Sequence, residues 1–281
     1  MNFQQFLKSE ESKKPHYLLI GNPVSHSVSP IMHNTALEHY GIDAKYHAIQ
    51  VRHEDMTSLI SHFNKDAFLG ANITIPYKQT FLEVVDSISE QAKEISAINT
   101  IRREGTTLHG DNTDSYGFSV PILELEEEID KDRAIIFGTG GATKAIVYAL
   151  NDLGFEEVIM VSRRPQLADS APGTIIIDYD QWTDFAEESS LIINATPLGM
   201  IPDIHTSPVK DFEVSFLAHK VCYDIVYNPQ QTMFLDQALE ASAQPIGGLD
   251  MLIHQGAKSF KLWTGKEFPI GLIKMKLDHV F

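Results

Sequence analysis

The stretch AIIFGTGGATKAIVYALNDL, Ala134 to Leu153, decides how this chain is read. An apolar run short enough for a buried strand passes into a glycine turn, GTGGAT at Gly138 to Thr143, and the turn opens the helical pattern AIVYALNDL. In that setting Gly138 permits a tight turn and Gly140 lets the backbone approach a pyrophosphate. The free N–H groups at the helix start can bind that anion. The third position of such a fingerprint holds Thr143, not Gly or Ala. A glycine run alone is more often an ordinary turn; the strand before it and the helix after it point to a dinucleotide.

The next strand toward the C-terminus, VIMV at Val158 to Val161, ends in SRRP. An NAD enzyme usually carries an acidic residue there for the ribose hydroxyls. Ser162, Arg163 and Arg164 offer donors and positive charge instead, which suit the 2′-phosphate of NADP. A solvated basic turn is the alternative. TIIID, LIIN and VCYDIV are further buried-strand candidates, and NATPLGM, Asn194 to Met200, follows one of them as a candidate floor for the nicotinamide. From Gly247 to Phe281 the pattern is mostly helical, with Leu252, Ile253, Ala257, Phe260 and Leu262 at helical spacings.

Toward the N-terminus the same alternation of strands and helices appears. YLLI at Tyr17 to Ile20 reads as a strand, followed by a helix from Pro30 to Tyr40 with Ser29 as its cap and Gly41 after its end. Ala44 to Val51 and ANITI at Ala71 to Ile75 are strands, and the segments flanking Glu104-Gly105 form a hairpin. The first domain therefore mixes parallel and antiparallel pairing. The acidic stretch ELEEEIDKD, Glu124 to Asp132, reads as a solvated helix end and connection at the change of domain.

Composition sets outer bounds. With 281 residues, 43% of them apolar, the chain can fill two ordinary cores. A formal net charge of −16 repels a phosphate backbone, so nucleic acid is not an expected partner. No run approaches the roughly 18 to 20 apolar residues of a membrane helix, so no membrane association is expected. The opening MNFQQFLKSEESKKP has no apolar centre of a secretory signal, and residues 1–15 read as a polar extension. The one cysteine, Cys222, reads as a buried small hydrophobe in a reducing, cytoplasmic setting. Twelve histidines fall in no metal-ligand spacing, so no metal is expected.

Polar signals gather at predicted strand ends. GNPVSHSVSPIMHN places Ser27 and Ser29 at alternate positions before a helix, where both hydroxyls can donate to a carboxylate; taken alone, a helix cap is the better explanation of Ser29, and the two roles are not exclusive. NITIPYK puts Asn72 and Thr74 on one strand face and delivers Lys78 after Pro76, although a lysine there is usually solvated. AINT supplies Asn99 and GDNTD supplies Asp114, each open to a reading as turn chemistry.

In combination these segments carry more. GNPVSHSVSP, NITIPYK, AINT, GDNTD, GTGGAT, NATP and GLDMLIHQGA occur in the order found in shikimate dehydrogenases, and from about residue 17 onward the chain closely resembles that family. The resemblance implies a two-domain α/β fold: an N-terminal substrate domain with a mostly parallel mixed sheet, a Rossmann-like NADP domain, a cleft between them, and C-terminal helices returning to the first domain. The expected boundaries are 1–118 with 248–281, and 119–247. It implies that Ser27 and Ser29 hold a substrate carboxylate, that Thr74, Asn99 and Asp114 contact ring hydroxyls, that Lys78 and Asp114 are the catalytic pair, and that Tyr227 and Gln255 complete the pocket. NADP would lie on Gly138, Thr139, Gly140, Gly141, Ala142, Ser162, Arg163, Arg164, Thr196, Ile225 and Gly248.

The family pattern is broken at three places: Ser115 where NTDG is common, Ser96 where glycine precedes AINT, and Asp250 in GLxML. The activity implied is interconversion of 3-dehydroshikimate and shikimate in the route to chorismate and the aromatic amino acids, by a monomer or homodimer. A quinate/shikimate dehydrogenase using NAD and a non-catalytic ring-acid sensor are the alternatives; SRRP disfavours NAD, and the presence of both Lys78 and Asp114 disfavours the sensor.

Overall fold

The computed structural model describes residues 1–125, 129–168, 171 and 173–280. Residues 126–128 of the expected acidic connection lie outside the described residues. The chain forms two compact units, Met1–Thr113 with Gln255–Val280, and Asp114–His254. Among the described residues each holds one six-stranded sheet. The expected α/β class, with a mixed sheet first and a Rossmann-like sheet second, is what forms.

In the first unit the elements run α1 (Phe3–Lys8), β1 (His16–Gly21), α2 (Ser29–His39), β2 (Lys45–Gln50), α3 (Met56–Phe63), β3 (Phe68–Ile73), β4 (Ser87–Ile88), α4 (Glu90–Ile95), β5 (Thr100–Glu104) and β6 (Thr107–Asp111). The sheet order is β2-β1-β3-β5-β6-β4. β1 pairs in parallel with β2 and β3, while β5 is antiparallel to β3 and β6. β1 is buried along its whole length because both faces are covered, which is why it reads as an unbroken apolar run. The expected hairpin forms, with Gly105 in the left-handed region at φ 59°. β4, two residues long, is too short for any periodicity to reveal it.

Residues 1–15 are not a polar extension. Asn2 caps α1 by accepting from the Gln5 N–H, and Gln5 returns the bond to the Asn2 N–H. Phe3 and Phe6, three apart and so on one helix face, are fully buried in the first core with Ile49, Phe63 and Phe68. A six-residue helix with two aromatic anchors leaves too short a pattern to stand out in a polar segment.

Beneath α1 lies a histidine pair. The His16 Nδ1 is 2.7 Å from the Lys14 carbonyl, so it donates there and leaves Nε2 as an acceptor for the His62 Nε2–H at 3.0 Å. Protonating His16 would set two N–H groups against each other. Burial is the main reason that its pKa falls to about 4. The unfolded chain then binds a proton near 6.5 that the folded chain refuses, so this contribution to stability is complete above about 6.5 and drains away as pH falls toward 4. Hydrogen exchange is expected to show α1 amides losing protection across that window, whereas His16→Asn should flatten the response.

The second unit runs α5 (Asp114–Leu123), β7 (Arg133–Phe137), α6 (Gly141–Leu153), β8 (Glu157–Val161), β9 (Thr174–Ile177), α7 (Thr183–Ala186), β10 (Leu191–Asn194), β11 (Val221–Asp224), α8 (Met233–Glu240) and β12 (Gln244–Ile246). All pairings are parallel, in the order β12-β11-β10-β7-β8-β9. The direction of winding reverses between β8 and β10, on either side of β7, and that switch point is where ligands bind in sheets of this kind. Alternation along β7 sends Ala134 and Ile136 into one core and Ile135 and Phe137 into the other. Two further helices, α9 (Gly248–Thr264) and α10 (Ile270–Leu277), complete the chain, and α9 carries it back into the first unit. No helix among the described residues is long and apolar enough to cross a membrane.

Candidate active site

The loop after β7 behaves as its glycines require. Gly138 sits at φ 110°, and a Cβ there would lie 3.0 Å from the Ala195 carbonyl, so the turn accepts only glycine. Gly140 caps α6 with no side chain and faces open space, as does Gly141, leaving the helix N-terminus accessible to an anion. Thr143, at the third fingerprint position, is buried and donates its hydroxyl to the Gly138 carbonyl at 3.1 Å, closing the loop on itself.

A cavity of about 670 Å³ opens here, lined by the Gly138–Gly140 loop, by Ser162, Arg163 and Arg164 after β8, and by Ala195, Thr196 and Pro197 after β10. The structure thus brings together most of the expected cofactor residues around one space. Ser162 is buried and accepts from the Arg164 N–H at 3.1 Å, shaping the turn, while both arginines are exposed. Leu167, Ala168 and Tyr179 also line the cavity and escaped sequence reading. They lie on irregular segments where nothing in the local pattern distinguishes a wall from a loop. Ile225 and Gly248 are absent from that lining but adjoin each other: a Cβ on Gly248 would lie 2.4 Å from the Ile225 carbonyl.

In the first unit the expected substrate residues collect at one end of the sheet. The loop carrying Ser27 and Ser29 follows β1, and the turn carrying Thr74 and Lys78 follows its parallel neighbour β3. The two are stitched by the Thr74 N–H donating to the Ile20 carbonyl and the Asn22 N–H donating to the Ile75 carbonyl, both at 2.9 Å. Asn99 arrives at the same end, its carbonyl accepting from the Ile73 N–H at 2.7 Å. Its side-chain oxygen accepts from the Thr113 N–H at 2.8 Å, which sets the chain direction just before Asp114. Gln255, also buried, begins the part of α9 that belongs to this unit. Asp114 and Tyr227 fall in the second unit, Asp114 buried as the first residue of α5 and Tyr227 with burial raising its phenol pKa.

Asn72 serves structure rather than ligand: its amide donates to Ser259 in α9 at 2.9 Å and its oxygen accepts from the Tyr46 phenol at 2.8 Å. Ser29 is not the helix cap either. It is the first helical residue, and its N–H donates to the Ser27 Oγ at 3.2 Å, so Ser27 supplies the oxygen expected of Ser29. Alternate residues before a helix are both within reach of its free N–H groups, and only geometry chooses between them. Ser27→Ala removes the bond from the Ser29 N–H and is accordingly expected to destabilise by about 0.5–1.5 kcal/mol in thermal melts.

The family departures have local explanations. Ser96 ends α4 in the left-handed region at φ 57°, a conformation that favours glycine. Ser96→Gly is expected to stabilise by roughly 0.5–1 kcal/mol, read as a raised Tm at unchanged kcat. Ser115 lies buried in the first turn of α5 and outside the positive-φ residues, so nothing there calls for glycine. Asp250 lies in the first turn of α9, where a negative charge suits the helix dipole. Cys222 is buried and free, and burial pushes its thiol pKa up to about 12, which makes it inert.

A parallel sheet with a glycine cradle at its switch point, joined to a second α/β unit that gathers hydroxyls, an amide and a lysine at one sheet end, defines a dinucleotide-dependent oxidoreductase. Residues 19–101 match the shikimate dehydrogenase substrate binding domain, and residues 248–277 match the shikimate 5′-dehydrogenase C-terminal domain. The shikimate dehydrogenase (NADP(+)) of Salinibacter ruber is 38% identical over 263 residues, covering 89% of this chain and 92% of that protein. Among solved structures, the Thermus thermophilus shikimate 5-dehydrogenase in complex with NADP(H) and shikimate is 31% identical, with a TM-score of 0.83 over 95% of this chain and 100% of that one. Quinate dehydrogenase from Corynebacterium glutamicum in complex with NAD is 28% identical, with a TM-score of 0.86 over 95% of this chain and 99% of that one. This chain belongs to the shikimate dehydrogenase family.

Proposed function

We propose that this protein interconverts 3-dehydroshikimate and shikimate with NADPH and NADP, in the pathway to chorismate and the aromatic amino acids. The observation that carries the reading is the arginine pair Arg163-Arg164 on the wall of the glycine-loop cavity, in a family whose Salinibacter relative is NADP(+)-dependent. Two guanidinium groups fit a ribose phosphate and leave NAD without an acidic acceptor for its hydroxyls. The open space beside Gly140 and Gly141 fits a pyrophosphate at the start of α6. When bound there, NADP exchanges a hydride with the substrate carbon.

Residues 119–247 would hold NADP, through the Gly138–Ala142 loop, Ser162, Arg163, Arg164, Thr196 and Ile225, with Gly248 at their edge. Residues 1–118 and 248–281 would supply the ring-acid contacts other than Tyr227. Ser27 and Ser29 donate to the carboxylate, and Thr74, Asn99, Tyr227 and Gln255 orient the ring through its hydroxyls. Lys78 moves the proton of the ring hydroxyl, taking it as oxidation proceeds and returning it on reduction, and Asp114 accepts a hydrogen bond from a ring hydroxyl. The single cysteine, free and buried, fits a reducing compartment; we place the enzyme in the cytoplasm, acting on a small molecule as a monomer or homodimer.

The test follows nicotinamide absorbance with shikimate and quinate, each offered NADP and NAD. Fast turnover with shikimate and NADP alone supports the reading. Preference for quinate and NAD would move the protein toward the Corynebacterium relative, and no turnover with any pair would make it a ring-acid binder.

A further inference from the structure

We propose that Asn194 and Asp224 are positioning residues for the cofactor: a buried amide–carboxylate pair that locks the loops after β10 and β11 together, so that Thr196 on one and Ile225 and Tyr227 on the other meet the nicotinamide half as one surface. The proposal rests on the NADP reading of the second unit.

Asn194 and Asp224 are the last residues of neighbouring parallel strands, directly in register, and both are completely buried. The Asn194 Nδ2 donates to the Asp224 Oδ1 at 3.0 Å and to the Leu198 carbonyl at 3.1 Å. Its Oδ1 accepts from the Thr196 N–H at 3.0 Å and from the Thr196 hydroxyl at 2.6 Å. The first loop is thereby folded around one amide. On the other side, the Asp224 Oδ1 also accepts from the Val226 N–H at 2.9 Å, and Oδ2 accepts from the Thr232 hydroxyl at 2.6 Å, at the N-cap of α8. Gly199, at φ 87°, lets the loops close on each other, since a Cβ there would lie 3.2 Å from the Thr232 Cβ.

The polar bonds of the pair therefore run to each other and to the two loops. Keeping a carboxylate here is costly: burial pushes the Asp224 pKa up to about 6 against the pull of its three hydrogen bonds. An apolar pair would serve packing alone at least as well. What the polar pair supplies is a unique loop arrangement, because every donor and acceptor of the pair is satisfied by specific groups on the two loops.

Three variants test this in the full-length enzyme: Asn194→Ala, Asp224→Ala and the conservative Asp224→Asn. Each alanine leaves the groups that answered the lost side chain unsatisfied, whereas an amide at 224 still accepts from Asn194 and Val226 and donates to a Thr232 hydroxyl turned to accept. The readouts are NADPH affinity by its fluorescence, kcat, the shikimate KM and the Tm. Each alanine variant is expected to weaken NADPH binding and lower kcat by about tenfold or more, and the shikimate KM should rise as well, because the loop after β11 carries Tyr227. Asp224→Asn, which keeps the contacts of the pair, should retain most of the NADPH affinity and of kcat.

Alanine variants that bind NADPH and turn over within about twofold of the parent would overturn the proposal. So would losses in the alanine variants that track a falling Tm and are matched by Asp224→Asn, since these describe general damage. Arg163→Ala with Arg164→Ala separates the two ideas. If that variant loses NADPH while Asn194→Ala and Asp224→Ala keep it, only the positioning role falls; if it binds NADPH like the parent, the cofactor reading itself falls.

Discussion

Replacing Lys78 with alanine is expected to lower kcat by about 100- to 10,000-fold, the usual contribution of a positioned acid–base group, with thermal unfolding and NADPH affinity close to those of the parent. The chemistry requires a proton to leave the ring hydroxyl as hydride leaves its carbon, and in the proposed site Lys78 is the side chain that carries it. Its position is well determined. The turn after β3 is held by the Tyr77 N–H on the Thr74 carbonyl at 3.0 Å, by the Tyr77 phenol on the Val51 carbonyl at 2.8 Å, and by the Lys78 carbonyl accepting from the Ile98 N–H at 2.8 Å. These bonds are made by the backbone and by Tyr77, so removing the Lys78 side chain leaves them in place. Lys78 itself is half-buried and outside the apolar cores, which is why little stability should be lost. A fall in kcat with an unchanged shikimate KM would mark a group acting in the transition state. Near-normal turnover in Lys78→Ala would remove the lysine from the mechanism and assign the proton to a water or another side chain. Asp114→Asn is expected to lower turnover as well, through the lost orientation of the ring.

The second large effect concerns cofactor choice. Charge-assisted hydrogen bonds to a phosphate contribute roughly 1.5–3 kcal/mol each, and solvent reduces that value for exposed side chains. Arg163 and Arg164 are both exposed on the cavity wall. The double change Arg163→Ala with Arg164→Ala is therefore expected to raise the NADP KM by about tenfold or more while barely altering the KM for NAD. The preference is also expected to shrink with added salt, because exposed charges are screened within about 10 Å at 0.1 M ionic strength. Equal losses for both cofactors would assign the arginines to the fold and leave the phosphate without its proposed partners.

Much of this architecture was open to reading from the chain alone. The β7–turn–α6 unit is legible because strand, glycine turn and helix are contiguous, so each physical requirement falls on neighbouring residues: an apolar run, a residue free to adopt φ 110°, a helix face. The arginines after β8 are legible for the same reason, since their place is counted from the end of a strand. The substrate residues were named through ordered motifs, whose resemblance to a family carried roles that spacing could not.

What the chain alone left open depends on partners distant in sequence. The first fifteen residues look polar because most of their side chains face water; only packing shows that Phe3 and Phe6 belong to the core with Phe68. Ser29 reads as the residue that answers a helix N–H until the backbone places Ser27 next to it. Asn72 resembles a ligand residue until Tyr46 and Ser259, one of them 187 positions away, take up its amide. Asn194 and Asp224 each look like a strand-end turn residue, and they become a pair only through the register of two parallel strands joined by a long crossover. Local conformational preference and apolar pattern, the properties that sequence states directly, determined the strands, the glycine loop and the two-unit plan. Which polar groups answer one another was decided by tertiary structure, because a buried donor or acceptor must be satisfied in space, and the chain order carries no record of that distance.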